Sequence, residues 1–234
     1  MIDHSDYERK YADQYRDGSF ETIMARIRRE HALASVRRYP HARFLDVGCG
    51  FEPLFPHLDE ATEAWIVEPG AEAVDAARNH PKAGDRVHIV SGFFEEVHAQ
   101  LPPEFDFIAV SSLLHEVSDP IALADAIRAH CNTSTVVHFN VPNVRSFHRL
   151  LALEAGLIDD LFEKSETEKR FQRQTRFDMP TLRTFLEANG FEVVESGTYF
   201  VKPFTHGQLE RMLRHEIIDE RILAALDRMT QYMS

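Results

Sequence analysis

Two glycines one residue apart, directly after a buried-type strand, are the first feature of this chain with chemical consequences. The segment from Phe44 to Pro53 reads FLDVGCGFEP, so a hydrophobic run delivers Asp46 and then Gly48 and Gly50 where a helix is expected to begin. Glycine lacks the Cβ that would hold a ligand off the backbone, and open α/β sheets bind cofactors at the carboxyl ends of their strands. The next strand-like run, WIVEPG, ends in Glu68, eighteen residues beyond Gly50. A carboxylate at that spacing is placed to accept hydrogen bonds from ribose hydroxyls. A tight strand-to-helix turn would account for the glycines alone, and a solvated strand end for Glu68 alone. Together they predict a nucleotide-type cofactor site.

Dinucleotides and S-adenosylmethionine are both held in this geometry, so the neighbours must decide between them. A dinucleotide fingerprint wants a third Gly or Ala three residues after Gly50, where this chain has Pro53. Glu52 would repel a pyrophosphate, and no Lys or Arg stands at the adjoining helix start to compensate. A ligand carrying a sulfonium and an ammonium group tolerates nearby carboxylates such as Asp46. The turn therefore suits a cationic cofactor.

Further candidates follow the fourth and fifth strand-like runs. His115 and Glu116 come just after FDFIAVSS. An imidazole there could take a proton from a substrate hydroxyl, its unperturbed pKa being about 6.5, although a structural side chain in a first helical turn is the competing account. The fifth run leads into HFNVPNVRSFHRLL, which gathers His138, Asn140, Asn143, Arg145, His148 and Arg149. The thirteen histidines form no HxH, HxxxH or HExxH, and His115 and Glu116, as sequence neighbours, would diverge on a helix. No metal is expected. Cys49 and Cys131 belong to no CxxC or zinc-spaced group, which argues against a disulfide scaffold.

The elements that must position these residues alternate along the chain. Strand-like runs at 44–47, 65–68, 87–90, 105–112 and 135–141 are separated by helix-compatible segments at Glu52–Leu58, Ala71–His80 and Pro120–His130. That rhythm predicts parallel strands in a layered α/β sheet. An amphipathic lead-in helix is expected from about Phe20 to Tyr39 within residues 1–40, and the cofactor-binding core over 43–143. Residues 144–178 break the rhythm and read as an inserted helical cap, whose EKSETEKR run is either mobile or a solvated helix face. A helix at Met179–Ala188, stopped by Asn189 and Gly190, precedes FEVVES and TYFVKPF. Two strands joined by so short a turn must be antiparallel, closing the core at 179–204. One helix is expected from about Gly207 to Met229, with Leu209, Leu213, Ile217 and Leu223 packing on the domain or on a second subunit, as monomer or homodimer.

With 234 residues, 44% of them hydrophobic, the chain is expected to form one domain. Thirty-eight acidic against 26 basic residues give a net charge of −12, which argues against nucleic acid as a partner. No run approaches the roughly 18 apolar residues of a membrane span, and the polar N-terminus lacks a signal peptide's core. A cytoplasmic protein without a membrane partner is expected.

The acidic residue followed by GxG resembles the first motif of class I S-adenosylmethionine-dependent methyltransferases. IVEPG resembles their second motif, VSGFFEEV their third and FDFIAVSSLLHEVSDP their fourth, over residues 43 to 204. The resemblance implies a Rossmann-like, seven-stranded, mostly parallel sheet with a terminal antiparallel pair. It implies that Asp46, Gly48 and Gly50 border the methionine portion of the cofactor, that Glu68, with Pro69, binds the ribose, and that Gly92, Phe93 and Phe94 lie along the adenine. Plain core packing is the other account of the two phenylalanines. Ser111 would face the methionine end. An acidic residue often follows the third-motif glycine; Phe93 stands there instead, which leaves adenine to backbone groups and apolar contact.

PNxxSxHRLL with the following AGLI, and later KPFTHGQ, resembles a bacterial subgroup associated with surface-polysaccharide or secondary-metabolite modification. That resemblance makes Asn143, His148, Arg149 and Lys202 candidates for holding a polar substrate, with capping and surface pairing as the alternative. The expected reaction is transfer of a methyl group to a hydroxyl or amine of a small polar molecule, with His115 the candidate base and His148 a second. The alternatives are a noncatalytic protein that binds S-adenosylmethionine or S-adenosylhomocysteine, and a nicotinamide-dependent oxidoreductase.

Overall fold

The computed structural model describes residues 19–163 and 175–233. Its contacts divide the chain into two compact units, one of Arg28–Val141 with Ala188–Phe191, the other of Met1–Ile27, Pro142–Glu187 and Glu192–Ser234.

The first unit is built on five parallel strands: β1 (Arg43–Val47), β2 (Glu63–Glu68), β3 (Val87–Ser91), β4 (Phe107–Ser111) and β5 (Val136–Asn140). Their order is β3-β2-β1-β4-β5. Phe44 pairs with Ala64 on one side and Phe107 on the other, and Asp46 with Ile66 and Ala109. The central strands are apolar on both faces, as strands covered by helices on both sides must be. Phe44, Ile66, Phe107 and Ala109 are fully buried with Leu33 and Val36 of the lead-in helix α1 (Phe20–Val36). The Phe44 and Phe107 rings stack at 6.0 Å. Each buried side chain of that size contributes about 1.5–3 kcal/mol, enough to fix the register and hence the residues at the carboxyl edge. The strand order reverses between β1 and β4, which opens the crevice where such sheets take ligands.

The crossover elements are α2 (Ala71–Arg78), the short α3 (Phe94–Val97) and α4 (Pro120–Arg128). Asp119 starts α4 by accepting from the N–H groups of Ile121 and Ala122, with Pro120 at the first helical position. The helix expected at Glu52–Leu58 is instead a single 3-10 turn at Phe55–His57. Pro53 and Pro56 lack donors for a continuing ladder, and the Leu54 N–H is taken by Asp46.

In the second unit lie α5 (Phe147–Glu154), most of α6 (Met179–Ala188), α7 (His206–Arg214) and α8 (Glu220–Arg228). Its core gathers Phe20, Ile23, Phe200, Leu209 and Leu223. The single terminal helix expected from Gly207 to Met229 is broken: Glu216 takes a left-handed φ of 53°, and Asp219 caps a new start at Ile222. Leu209 and Leu223 pack inside this core, whereas Ile217 is exposed.

The seven-stranded sheet is corrected as well. FEVVES and TYFVKPF form no strands among the described residues, and the sheet has five parallel strands without an antiparallel pair. Val194 is 71% exposed, and Phe191 and Val193, the alternating apolar positions of FEVVES, are only half-buried. Phe200 turns to φ 59°, which interrupts any extended path, and the Val201 N–H donates to Leu226 O of α8 at 3.0 Å. The segment satisfies its backbone on a helix and places Tyr199 and Phe200 against the second core. Of the cap expected over 144–178, residues 164–174, which hold most of the EKSETEKR run, lie outside the described residues.

Candidate functional site

Parallel pairing puts all five strand ends on one edge, and β1 and β2 bring their polar residues together there. Both glycines after β1 adopt backbone that favours glycine, with φ 71° at Gly48 and 55° at Gly50. A Cβ on Gly50 would meet nothing within 4 Å, so this turn leaves open space beside its backbone. A Cβ on Gly48 would come 3.0 Å from the Leu113 side chain that follows β4. Gly48 is thus required by its own φ and by the approach of Leu113.

Glu68 binds the two turns to each other. Its Oε2 accepts from the Gly50 N–H at 2.8 Å and its Oε1 from the Gly70 N–H at 2.8 Å. Asp46 is 2% exposed and accepts from the Leu54 N–H at 2.9 Å. Burial raises its pKa to about 7, against the Leu54 hydrogen bond, with the charge of Glu68 adding to the rise. Burial, then the charges of Asp46 and Glu68, push the Cys49 thiol well above its usual range. Such a shift disfavours the thiolate.

The donor set is two carboxylates and backbone N–H groups, and it fits a cationic ligand that also carries vicinal hydroxyls. Contrary to expectation, Glu52 has a compensating cation: Arg29 of α1 forms an ion pair with it. The case for a cationic ligand rests instead on Asp46 and Glu68.

Pro69 is exposed between Glu68 and the N-cap Gly70 of α2. Gly92 continues the β2–β3 pairing through its N–H to Glu68 O at 3.1 Å, and a Cβ on it would strike Val97 at 2.5 Å. Phe94 is buried against the rings of His98 and His130, which assigns it to the core. Phe93 is half-buried at the N-cap of α3.

At the β4 end, Ser111 Oγ accepts from Asn140 Nδ2 at 3.0 Å. His115 is 3% exposed, and its Nε2 lies 3.4 Å from Glu116 Oε1. Residues 114–116 form a turn before α4, so the two side chains converge and do not diverge as helical neighbours would. Among the described residues no three His, Cys, Asp or Glu side chains gather as metal ligands.

The substrate candidates all belong to the second unit. Asn143 Oδ1 accepts from the Arg145 N–H at 2.8 Å, a local turn bond. Arg149 Nη2 donates to the carbonyls of Leu161 and Glu163 at 2.6 and 2.8 Å. His148 and Lys202 are joined through the His148 N–H and Lys202 O at 2.9 Å. Ser146 Oγ lies 3.2 Å from His148 Nδ1, and Lys202 Nζ sits 5.5 Å from the Phe20 ring centroid. Sequence reasoning missed the network around Ser112 and Asn140; its one legible signal was a polar Asn at the last position of an apolar strand.

A family model described as a methyltransferase domain matches residues 16–196. The ubiquinone biosynthesis O-methyltransferase of Xylella fastidiosa is 35% identical over 106 residues, which is 41% of this chain and 43% of that enzyme. The match thus spans less than half the length of that relative. A SAM-dependent methyltransferase from Thermotoga maritima superposes with a TM-score of 0.53 at 17% identity, covering 80% of each chain. Magnesium protoporphyrin IX methyltransferase from Synechocystis PCC 6803, solved with S-adenosylhomocysteine bound, gives 0.52 at 14% identity, over 79% of this chain and 78% of that one. At those identities the structural likeness is one of fold. No described helix is long and apolar enough to cross a membrane.

Proposed function

The chain belongs to the methyltransferase-domain family, and from that premise we propose that it transfers a methyl group from S-adenosyl-L-methionine to a hydroxyl or amine of a small polar molecule, such as a sugar or polysaccharide precursor. The observation that carries this reading is Glu68 held by the Gly50 and Gly70 N–H groups, beside two left-handed glycines and a buried Asp46. A 35% identical relative named for O-methyl transfer supports oxygen as the acceptor atom.

When bound, the cofactor supplies an electrophilic methyl on a sulfonium and leaves as S-adenosyl-L-homocysteine. Glu68, fixed at the end of β2 by its two backbone donors, would accept from the ribose hydroxyls. Gly48 and Gly50 would border the methionine portion, with the open space at Gly50, and Asp46 in its ionised form would attract positive charge. Ser111 borders the same end, and Gly92 and Phe93 flank the adenine through backbone and apolar contact. Phe94 and Pro69 are left out of that set. The reaction is an in-line displacement whose chief need is alignment of nucleophile and leaving group, so a base is optional. His115, whose Nε2 lies 3.4 Å from Glu116 Oε1, is the candidate if one is used.

His148 and Lys202 remain the candidates for binding a polar acceptor. Asn143 and Arg149 are assigned to holding their own loops. Pro53 and the family match both speak against a nicotinamide enzyme.

The test is incubation with methyl-labelled S-adenosylmethionine and a panel of hydroxyl- and amine-bearing acceptors. Label transfer to any of them, abolished in Glu68→Ala, is the expected result, and binding without turnover across the panel would favour a noncatalytic protein. His115→Ala is expected to slow turnover while sparing cofactor affinity; an unaltered rate removes it as a base.

A further inference from the structure

Ser112 follows the last residue of β4 and takes a left-handed φ of 56°, a conformation that costs a non-glycine residue free energy and needs something to hold it. Asn140, the last residue of β5, pairs directly opposite Ser111 and is 8% exposed. The Ser112 N–H reaches both Asn140 O at 3.0 Å and Asn140 Oδ1 at 3.1 Å, and the Ser112 hydroxyl lies 3.2 Å from the same Oδ1. A backbone N–H can only donate, so the amide oxygen is fixed toward Ser112. The amide nitrogen is then turned toward Ser111 Oγ at 3.0 Å and His138 Nε2 at 3.4 Å. Every polar atom of the Asn140 side chain is thus engaged in shaping the end of β4.

The next residue is Leu113, whose two Cδ atoms lie 3.0 and 3.3 Å from where a Gly48 Cβ would stand. The backbone angle of Ser112 sets the direction in which the chain delivers Leu113. If Ser112 relaxed to negative φ, Leu113 would leave the Gly48 backbone. We propose that Asn140 is a positioning residue for cofactor binding, acting through the left-handed Ser112 to seat Leu113 against the Gly48 turn. The inference rests on the cofactor reading above.

A merely structural amide and a positioning one differ in what rescues them. Glycine adopts positive φ without a side-chain clamp, so Ser112→Gly should make Asn140 dispensable for binding, though not for thermal stability. The experiment is calorimetric titration of the full chain with S-adenosylhomocysteine. Asn140→Ala is expected to bind about tenfold more weakly than the unsubstituted protein, and Ser112→Gly to bind normally. The double variant is expected to recover affinity to within about threefold while keeping the lowered melting temperature.

Ser112→Val, whose β-branched side chain resists positive φ, is expected to lose affinity with Asn140 intact. Wild-type affinity in a folded Asn140→Ala, or a double variant no better than Asn140→Ala, would overturn the proposal. Should Asn140→Ala fail to fold, Ser112→Val decides alone, and unchanged affinity there overturns it. Failure of the unsubstituted protein to bind would instead overturn the cofactor reading on which the inference rests.

Discussion

The turn from Gly48 to Glu68 and the stretch from Asn143 to Lys202 both concentrate polar residues in the sequence, yet the fold uses them differently. In the first, Glu68 accepts two backbone N–H groups and braces the turn, while Gly50 leaves open space beside it. In the second, Asn143 Oδ1 and Arg149 Nη2 bond to nearby backbone. Residue type alone did not separate the two regions. What did was the backbone: paired left-handed glycines have little structural use except where the chain must turn tightly or be approached closely. An Asn or Arg in a loop has many such uses.

Substitutions can break or sharpen this contrast, and they rank by effect on cofactor affinity. The largest is expected from Gly48→Val, which imposes a β-branched residue on φ 71° and displaces Leu113. S-adenosylhomocysteine binding should become undetectable by calorimetry, with a lowered melting temperature. Glu68→Ala should weaken binding by about 1.5–3 kcal/mol through loss of charge-assisted hydrogen bonds.

Asp46→Asn comes next and depends on pH. The folded pKa of Asp46 lies near 7, above its unfolded value, so the wild type loses stability relative to the variant as pH rises from about 4 to 7 and no further above that. Wild-type affinity for S-adenosylmethionine should rise between pH 6 and 8 as Asp46 ionises, and titrations of the variant over that range should be flat. Arg149→Ala is the smallest: a melting-temperature loss worth roughly 1–2 kcal/mol from two hydrogen bonds, with cofactor affinity unchanged. Weakened cofactor binding there would erase the distinction between the regions.

The parts of the molecule that were legible in its sequence are those fixed by local chemistry. Continuous apolar runs marked all five strands to within about two residues, because strands buried on both faces admit little else. The glycine pair and Glu68 were legible because their spacing reflects the geometry of two successive strand-end turns. FEVVES misled because alternation predicts a strand only if a sheet edge receives it, and here Phe200 and the helix α8 took the chain elsewhere. The terminal helix misled because one left-handed residue, Glu216, and one capping aspartate, Asp219, split a pattern that periodicity alone would run through. Asn140 was gathered among the candidates after the fifth run, but its bonds to Ser112 went unread because they depend on the register of β4 against β5. The pairing of Arg29 with Glu52 depends likewise on where α1 packs.

The central claim is that the Glu68-braced glycine turn binds S-adenosylmethionine. Its most direct test is calorimetric titration of the purified chain with S-adenosylhomocysteine, after mass spectrometry has excluded ligand carried through purification. Micromolar binding to the unsubstituted protein, weakened at least tenfold in a folded Glu68→Ala, is the result this account predicts. No binding by the folded, ligand-free protein, or equal binding by both proteins, would contradict it.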